Sequence, residues 1–268
     1  TGEKIHRGQE EYKIKIKADD GSLDKLKVRY CFDGRNWLGV LIDTAVGSLN
    51  GGLLNAMLAL TAIQDRELAK ADVPDAYLKG QWPKGANGSA PRRVFMEQMS
   101  NFRTYTNGVL DVDEVMLPLW GAPPSGQLFN MCVVKAFKEL GAIQCPVAAP
   151  LWRIDQGDHN CLIGIQVDDF LLSATKGAHD LLLYIKGGVE RILKCKLKWE
   201  LEPTEIVSIR IDRHRPTNRL QTSIQTYILA QTARFAPDLI GTLPNRDAVP
   251  ARNVELLQAV KPFLIDGK

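Results

Sequence analysis

Two adjacent carboxylates, Asp168 and Asp169, interrupt an otherwise apolar run in Cys161-Leu-Ile-Gly-Ile-Gln-Val-Asp-Asp-Phe-Leu-Leu172. Apolar residues on both sides of a short polar break predict a strand, a tight turn and a returning strand, with the aspartates at the tip. Neighbouring carboxylates repel each other and resist burial, so a fold that sets them at the end of a buried hairpin ordinarily supplies a cation. Magnesium suits such a place, because it takes one or two protein carboxylates together with water and substrate phosphates. A third carboxylate would complete a two-metal phosphoryl-transfer centre, and the candidate is Asp72, in Lys70-Ala-Asp-Val-Pro-Asp-Ala-Tyr-Leu-Lys-Gly80. Other common chemistries lack their residues: there is no Walker-A loop, GxGxxG, GxSxG or HExxH motif, and the four histidines are scattered.

The elements that must position these carboxylates follow from periodicity. Strict alternation in Tyr12-Lys-Ile-Lys-Ile-Lys17 and Lys25-Leu-Lys-Val-Arg-Tyr30, joined by Ala18-Asp-Asp-Gly-Ser22, predicts a β-hairpin with Lys13, Lys15, Lys17, Lys25, Lys27 and Arg29 on one face. Such a face either discourages edge-to-edge aggregation or forms a basic flap over phosphates, and alternation alone does not choose between the two. A Gly-rich connection, Gly47 to Gly52, leads into a helix expected to run to about Ala69 and to pack Leu53, Met57 and Leu60 inward. The Asp72 segment follows as a short strand, then a loop from Trp82 to Pro91 and a returning strand at Arg92-Arg-Val-Phe-Met96. Ser125 is expected to cap a helix that buries Phe129, Val133, Phe137 and Leu140, with Gly141 just beyond its end. An extended piece, Val147 to Trp152, precedes the aspartate hairpin. A helix from Ala178 to Leu193 is expected to bury Leu181, Ile185, Val189 and Ile192, with Gly187-Gly188 as a weak spot. Strands around Glu205 to Ile211 and Arg219 to Thr222 make a second hairpin, and the remainder from Ile224 reads as helical. Strands and helices interleave without a βαβ rhythm, which predicts an α+β fold.

Composition narrows the class. With 268 residues, 45% hydrophobic and 24% charged, the chain reads as globular rather than disordered. A formal net charge of +3 is too small to imply a nucleic-acid partner, so that argument rests on where the basic residues cluster. The five cysteines, Cys31, Cys132, Cys145, Cys161 and Cys195, show no CxxC pairing and read as reduced thiols of an intracellular protein, in cytoplasm or nucleus. The charged opening residues, Thr-Gly-Glu-Lys-Ile-His-Arg, argue against a signal peptide. The longest apolar stretch, Leu53 to Ile63, is too short to span a bilayer, so no membrane association is expected.

The order of these parts resembles a family, the reverse transcriptases, in their copia-type retrotransposon branch. The segment Ala71 to Gly80 looks like that family's first catalytic motif, and Val94-Phe-Met-Glu-Gln98 is similar to its VYMEQ strand. Leu117-Pro-Leu-Trp-Gly-Ala-Pro-Pro-Ser-Gly126 resembles the motif written LYGLKQAP or LPLYGLPQAG, and Val167-Asp-Asp169 matches the YVDD box. Ile209-Arg-Ile-Asp-Arg213 followed by Tyr227-Ile228 looks like the end of the palm. The resemblance implies a right-hand polymerase palm with an antiparallel sheet and basic β-hairpin fingers. Residues 1–71 would be fingers, 72–223 palm with an inserted fingers loop near 80–116, and 224–268 a helical connection or partial thumb. It implies that Asp72, Asp168 and Asp169 bind two magnesium ions, or manganese, with the Val73 carbonyl completing the shell. Lys27 and Arg29 would grip the triphosphate of a deoxynucleotide, which tips the basic face of the hairpin towards function. Tyr77 would be the steric gate against a ribose 2′-hydroxyl, with a core tyrosine as the alternative. One of Lys194, Lys196 and Lys198 lies where the family has a lysine near pyrophosphate, set against a solvated strand face. Arg210, Arg213, Arg215 and Arg219 would reach primer or template backbone, or simply form surface.

Three positions depart from the pattern. Pro124 stands where the family has a glutamine beside the nascent base pair, and proline has no backbone donor. Gln166 replaces the aromatic of the YxDD box. Ser208 replaces the glycine of the primer-grip turn, and serine disfavours a positive φ, which predicts a remodelled turn. Nothing in the 268 residues resembles the family's RNase H, integrase or protease regions. The expected activity is RNA-directed DNA synthesis on a primed RNA or DNA template. The alternative is a catalytically lapsed, retrotransposon-derived nucleic-acid-binding or structural subunit with a protein partner. A metal-dependent nuclease is a third reading, disfavoured because it needs no triphosphate grip.

Overall fold

The computed structural model describes residues 5–16, 22–36, 47–84, 93–224 and 228. Lys17, most of the loop expected over Trp82 to Pro91, Arg92, Tyr227 and the helix expected beyond Ile224 fall outside these residues, Ile228 apart. In chain order come β1 (Ile5–His6), β2 (Gly8–Ile16), β3 (Leu23–Phe32), helix α1 (Gly51–Ile63) and β4 (Glu67–Asp72). Short strands β5 (Phe95–Glu97), β6 (Tyr105–Thr106), β7 (Val109–Leu110) and β8 (Val112–Glu114) precede helix α2 (Ser125–Glu139). After it lie β9 (Ile143–Gln144), β10 (Leu151–Gln156), β11 (His159–Gln166), β12 (Asp169–Ala174) and helix α3 (His179–Leu193). The last strands are β13 (Lys198–Leu201), β14 (Glu205–Ile206), β15 (Ile209–His214) and β16 (Arg219–Ser223). The fold class is α+β: almost every strand pair is antiparallel, and β1 with β5 is the parallel one among the described strands. None of the helices is long and apolar enough to cross a membrane, among the described residues.

The chain divides into two compact units, one from 1–46 and 75–134, the other from 47–74 and 135–268. Helix α1 and β4 therefore group with the second unit rather than with the basic hairpin. In the first unit, β2 and β3 pair so that Lys13 opposes Lys27, Lys15 opposes Lys25 and Glu11 opposes Arg29. Its small core is Phe32, Val94, Met96, Val115 and Ala122. Gly121, at φ 82°, lets its backbone pass against Phe32, whose carbonyl oxygen would lie 2.1 Å from any added Cβ. The Phe32 N–H donates to the Trp120 carbonyl at 2.7 Å across the same contact.

The second unit holds a six-stranded sheet in the order β13-β4-β12-β11-β10-β9. Both faces are covered, which explains why Cys161–Ile165 and Phe170–Ala174 are apolar almost without alternation. On one face α1 brings Leu53, Leu54, Met57 and Leu58 against Leu68, Leu151, Leu162 and Leu171. Gly164 permits that approach, since a Cβ there would meet Met57 Sδ at 2.8 Å. On the other face Phe137 packs tilted against Trp152 and Phe170, with ring centroids 5.6 and 5.5 Å away. Each such side chain taken out of water contributes about 1.5–3 kcal/mol.

Four local expectations are corrected. Helix α1 begins with Asn50 accepting from the Leu53 N–H and stops at Ile63, short of Ala69, because Asp65 turns left-handed (φ 46°) and Glu67–Asp72 is drawn into the sheet. Ser125 does not cap α2: the Leu128 N–H donates to the Pro124 carbonyl, and the Ser125 hydroxyl donates back to Leu119. The strand beside the aspartate hairpin lies later than Val147 to Trp152, since Leu151–Gln156 is what pairs along β11. Gly188 is a packing position rather than a weak spot: an added Cβ would lie 2.2 Å from Leu140 Cδ2, whereas nothing lies within 4 Å at Gly187. Gly187→Ala should accordingly stabilise the protein by up to about 1 kcal/mol through helix propensity. Gly188→Ala should lower its thermal midpoint, and chemical denaturation of the two variants side by side checks the opposite signs.

Candidate functional site

The site is set by backbone register. Gln166 pairs with Asp169, Asp169 with Asp72, and Asp72 with Lys198. Directly opposed residues of antiparallel strands project to one face, so these four side chains form a row across β11, β12, β4 and β13. Asp168 occupies the two-residue turn with Val167, between the paired Gln166 and Asp169. Val167 adopts φ 54°, a strained conformation for a β-branched residue that the flanking ladder holds in place. The Asp168 carbonyl accepts from the Val73 N–H at 2.9 Å, tying the turn to the residue after Asp72. Asp72, Val73, Asp168 and Asp169 are thus brought together.

Asp168 is exposed, while Asp72 and Asp169 are half-buried. Burial pushes the Asp169 carboxyl above its ordinary value, repulsion from Asp168 and Asp72 adds to the shift, and Lys70 and Lys198 oppose it. The Lys198 ammonium is ion-paired with the Asp72 carboxylate. Among the described residues, no group of three or more His, Cys, Asp or Glu side chains is arranged to hold a metal ion, and the cation seated on Asp72 is Lys198. Three carboxylates nonetheless lie at one end of the sheet, two of them in register, and carboxylate oxygens are the donors that a hard cation takes. Of the three lysines singled out by the resemblance, Lys198 pairs with Asp72, Lys196 pairs with Glu190, and Lys194 ends α3 in the left-handed region.

Lys27, Arg29 and Tyr77 belong to the other unit. Lys27 is half-buried on β3. Arg29 pairs with Glu11 at 3.5 Å, and its guanidinium lies 5.7 Å from the Trp120 ring centre. Tyr77, in a short 3-10 turn at Ala76–Lys79, meets the same ring edge-on at 6.4 Å. Trp120 therefore joins Arg29 to Tyr77, a role that its place in an apolar motif does not reveal.

The three departures have structural accounts. Gln166 accepts from the Ser48 hydroxyl at 2.7 Å, so its amide is fixed by the segment leading into α1. Pro124 is buried and starts α2. The turn at Ser208 is a tight two-residue connection between the paired Ile206 and Ile209, with Val207 at φ 49° and Ser208 at 61°. It is kept in left-handed conformation despite lacking glycine. Arg213 and Arg215 are structural rather than free: they bridge Asp65, Glu67 and Glu202 at 2.6–3.3 Å. Arg210 pairs with Asp212, and Arg219 donates to Gln221.

No family model matches the chain, and no curated protein matches it.

A carboxyl raised in the folded state costs stability above that raised value, and the cost vanishes as the pH falls below the ordinary carboxylate range. At neutral pH with a chelator present, Asp169→Asn should hold or raise the thermal midpoint, and the gain should disappear in acid. A clear fall at neutral pH would mark the charge as part of the fold.

Proposed function

We propose that the chain is an RNA-directed DNA polymerase, a reverse transcriptase of copia-like motif order, with the second unit as palm and the basic hairpin as fingers. The observation that carries the reading is the register pairing of Asp72 with Asp169 beside the Asp168 turn, which gathers carboxylates distant in sequence at one end of an antiparallel sheet. A two-metal phosphoryl-transfer centre needs such carboxylates near one another, and the strand register supports that proximity. Asp72, Asp168 and Asp169, with the Val73 carbonyl, would hold two magnesium ions, or manganese. Bound there, the metal pair supplies Lewis-acid activation of a primer 3′-hydroxyl and charge stabilisation on the departing pyrophosphate.

The remaining work falls to the chain's own groups. The ladder between β4 and β12 fixes the spacing of two carboxylates, and the Val73 N–H keeps the turn that carries the third. Lys27 and Arg29 would bind the triphosphate of an incoming deoxynucleotide, with Arg29 oriented by Glu11 and Trp120. Tyr77, braced on Trp120, would exclude a ribose 2′-hydroxyl. The duplex of template and primer, RNA or DNA, is the partner this reading requires.

The ion pair between Lys198 and Asp72 favours a second reading, in which the fold is kept as a nucleic-acid-binding or structural subunit and the carboxylates no longer do chemistry. Primer extension on a primed RNA template with magnesium or manganese separates the two. The polymerase reading expects extension by the natural chain and a loss of about a hundred- to a thousandfold in Asp168→Asn, the scale of a removed charge-stabilising group, with salt-sensitive template binding retained. A natural chain that binds template yet extends no primer would leave the second reading standing.

A further inference from the structure

Lys198 stands directly opposite Asp72 on the edge strand β13, in the same row as Asp169. Its ammonium is seated on the Asp72 carboxylate, while its side chain is 71% exposed and that of Asp72 26%. Such a pair is weak and labile, because water screens the lysine and the long side chain gains entropy on release. The neighbouring lysine at 196 is occupied elsewhere, with Nζ 3.0 Å from Glu190 Oε2, and Lys70, on the strand of Asp72, lies 3.4 Å from the Glu205 carbonyl oxygen. Among the described residues, Asp72 is therefore served by one specific cationic group fixed by register.

We propose that Lys198 is an internal competitor for the metal position on Asp72. It neutralises that carboxylate when no divalent cation is present, and a cation entering the site must displace it. On this account Lys198 keeps the β4–β12 end of the sheet from repelling itself apart in the metal-free protein, and it sets how much divalent cation the site needs. The inference rests on the metal-centre reading above. It concerns the lysine, not the carboxylates, so the two fail separately.

The test is binding of manganese alone, without template or nucleotide, followed by the electron paramagnetic resonance signal of free Mn2+. The natural chain, Lys198→Gln, Lys196→Gln and Asp72→Asn are compared, with circular dichroism and the chelated thermal midpoint to show that each is folded. Removing the competitor should tighten manganese binding by about three- to tenfold, the range expected for releasing an exposed ion pair. Lys196→Gln, which removes the same charge two residues away, should leave affinity unchanged, and Asp72→Asn should lose the site. Equal affinities for the natural chain and Lys198→Gln, or an equal gain in Lys196→Gln, would overturn the competitor while leaving the metal centre standing. An absence of manganese binding in both the natural chain and Lys198→Gln would overturn the metal centre and the competitor with it.

Discussion

The register between β4 and β12 is the constraint on which the site depends. Six consecutive pairs, from Asp169 with Asp72 to Ala174 with Glu67, fix it. Side-chain direction alternates along a strand, so a slip of one residue would send Asp72 to the opposite face and exchange the side chains packed under α1 with those facing α2. Burial on both faces penalises that slip. Leu68 and Leu171 pack under α1, Phe170 packs against Phe137, and Ala69 and Ala71 are fully buried. The carboxylate row is thus positioned by a hydrophobic sandwich that contains none of the chemistry.

The charged layer at the other end of β4 works in the same direction. Asp65, Glu67 and Glu202 meet Arg213 and Arg215, and Lys176 reaches Asp65 at 2.6 Å. Beneath them Arg66, 2% exposed, is satisfied by the Ser173 hydroxyl and carbonyl and by Asn160 rather than by a carboxylate. A buried guanidinium needs every donor engaged, and this one stitches the start of β4 to β11 and β12. One end of the strand is locked by satisfied charges, and at the other Lys198 pairs with Asp72 beside Asp169.

What the sequence made legible, and what it did not, follows from which contacts are local. The strand-turn-strand at 161–172, the apolar stripes of α2 and α3 and the alternating basic hairpin are local patterns, and the structure has them, with Leu193 rather than Ile192 buried at the end of α3. Apolar runs around Asp168-Asp169 also pointed to a turn, and the turn is there, although Asp169 itself begins β12. The end of α1 was not legible, because Glu67–Asp72 has helix-forming composition and becomes a strand through pairing on both edges. Gly188 looked like a helix breaker for want of any local sign of Leu140. Choosing Lys198 from three alternating lysines needed the pairing of β13 with β4, and finding Ser48 and Trp120 needed contacts between segments far apart in the chain. The roles of Lys27, Arg29 and Tyr77 rest on resemblance rather than on geometry around the carboxylates.

The proposed polymerase activity depends on Asp72, Asp168 and Asp169 holding divalent cations together. Diffraction from crystals grown with manganese and a primed template, recorded at the manganese absorption edge, tests it most directly. The account predicts anomalous density shared by the three carboxylates, with Lys198 turned away from Asp72. Well-ordered carboxylates without anomalous density, and Lys198 still seated on Asp72, would contradict it.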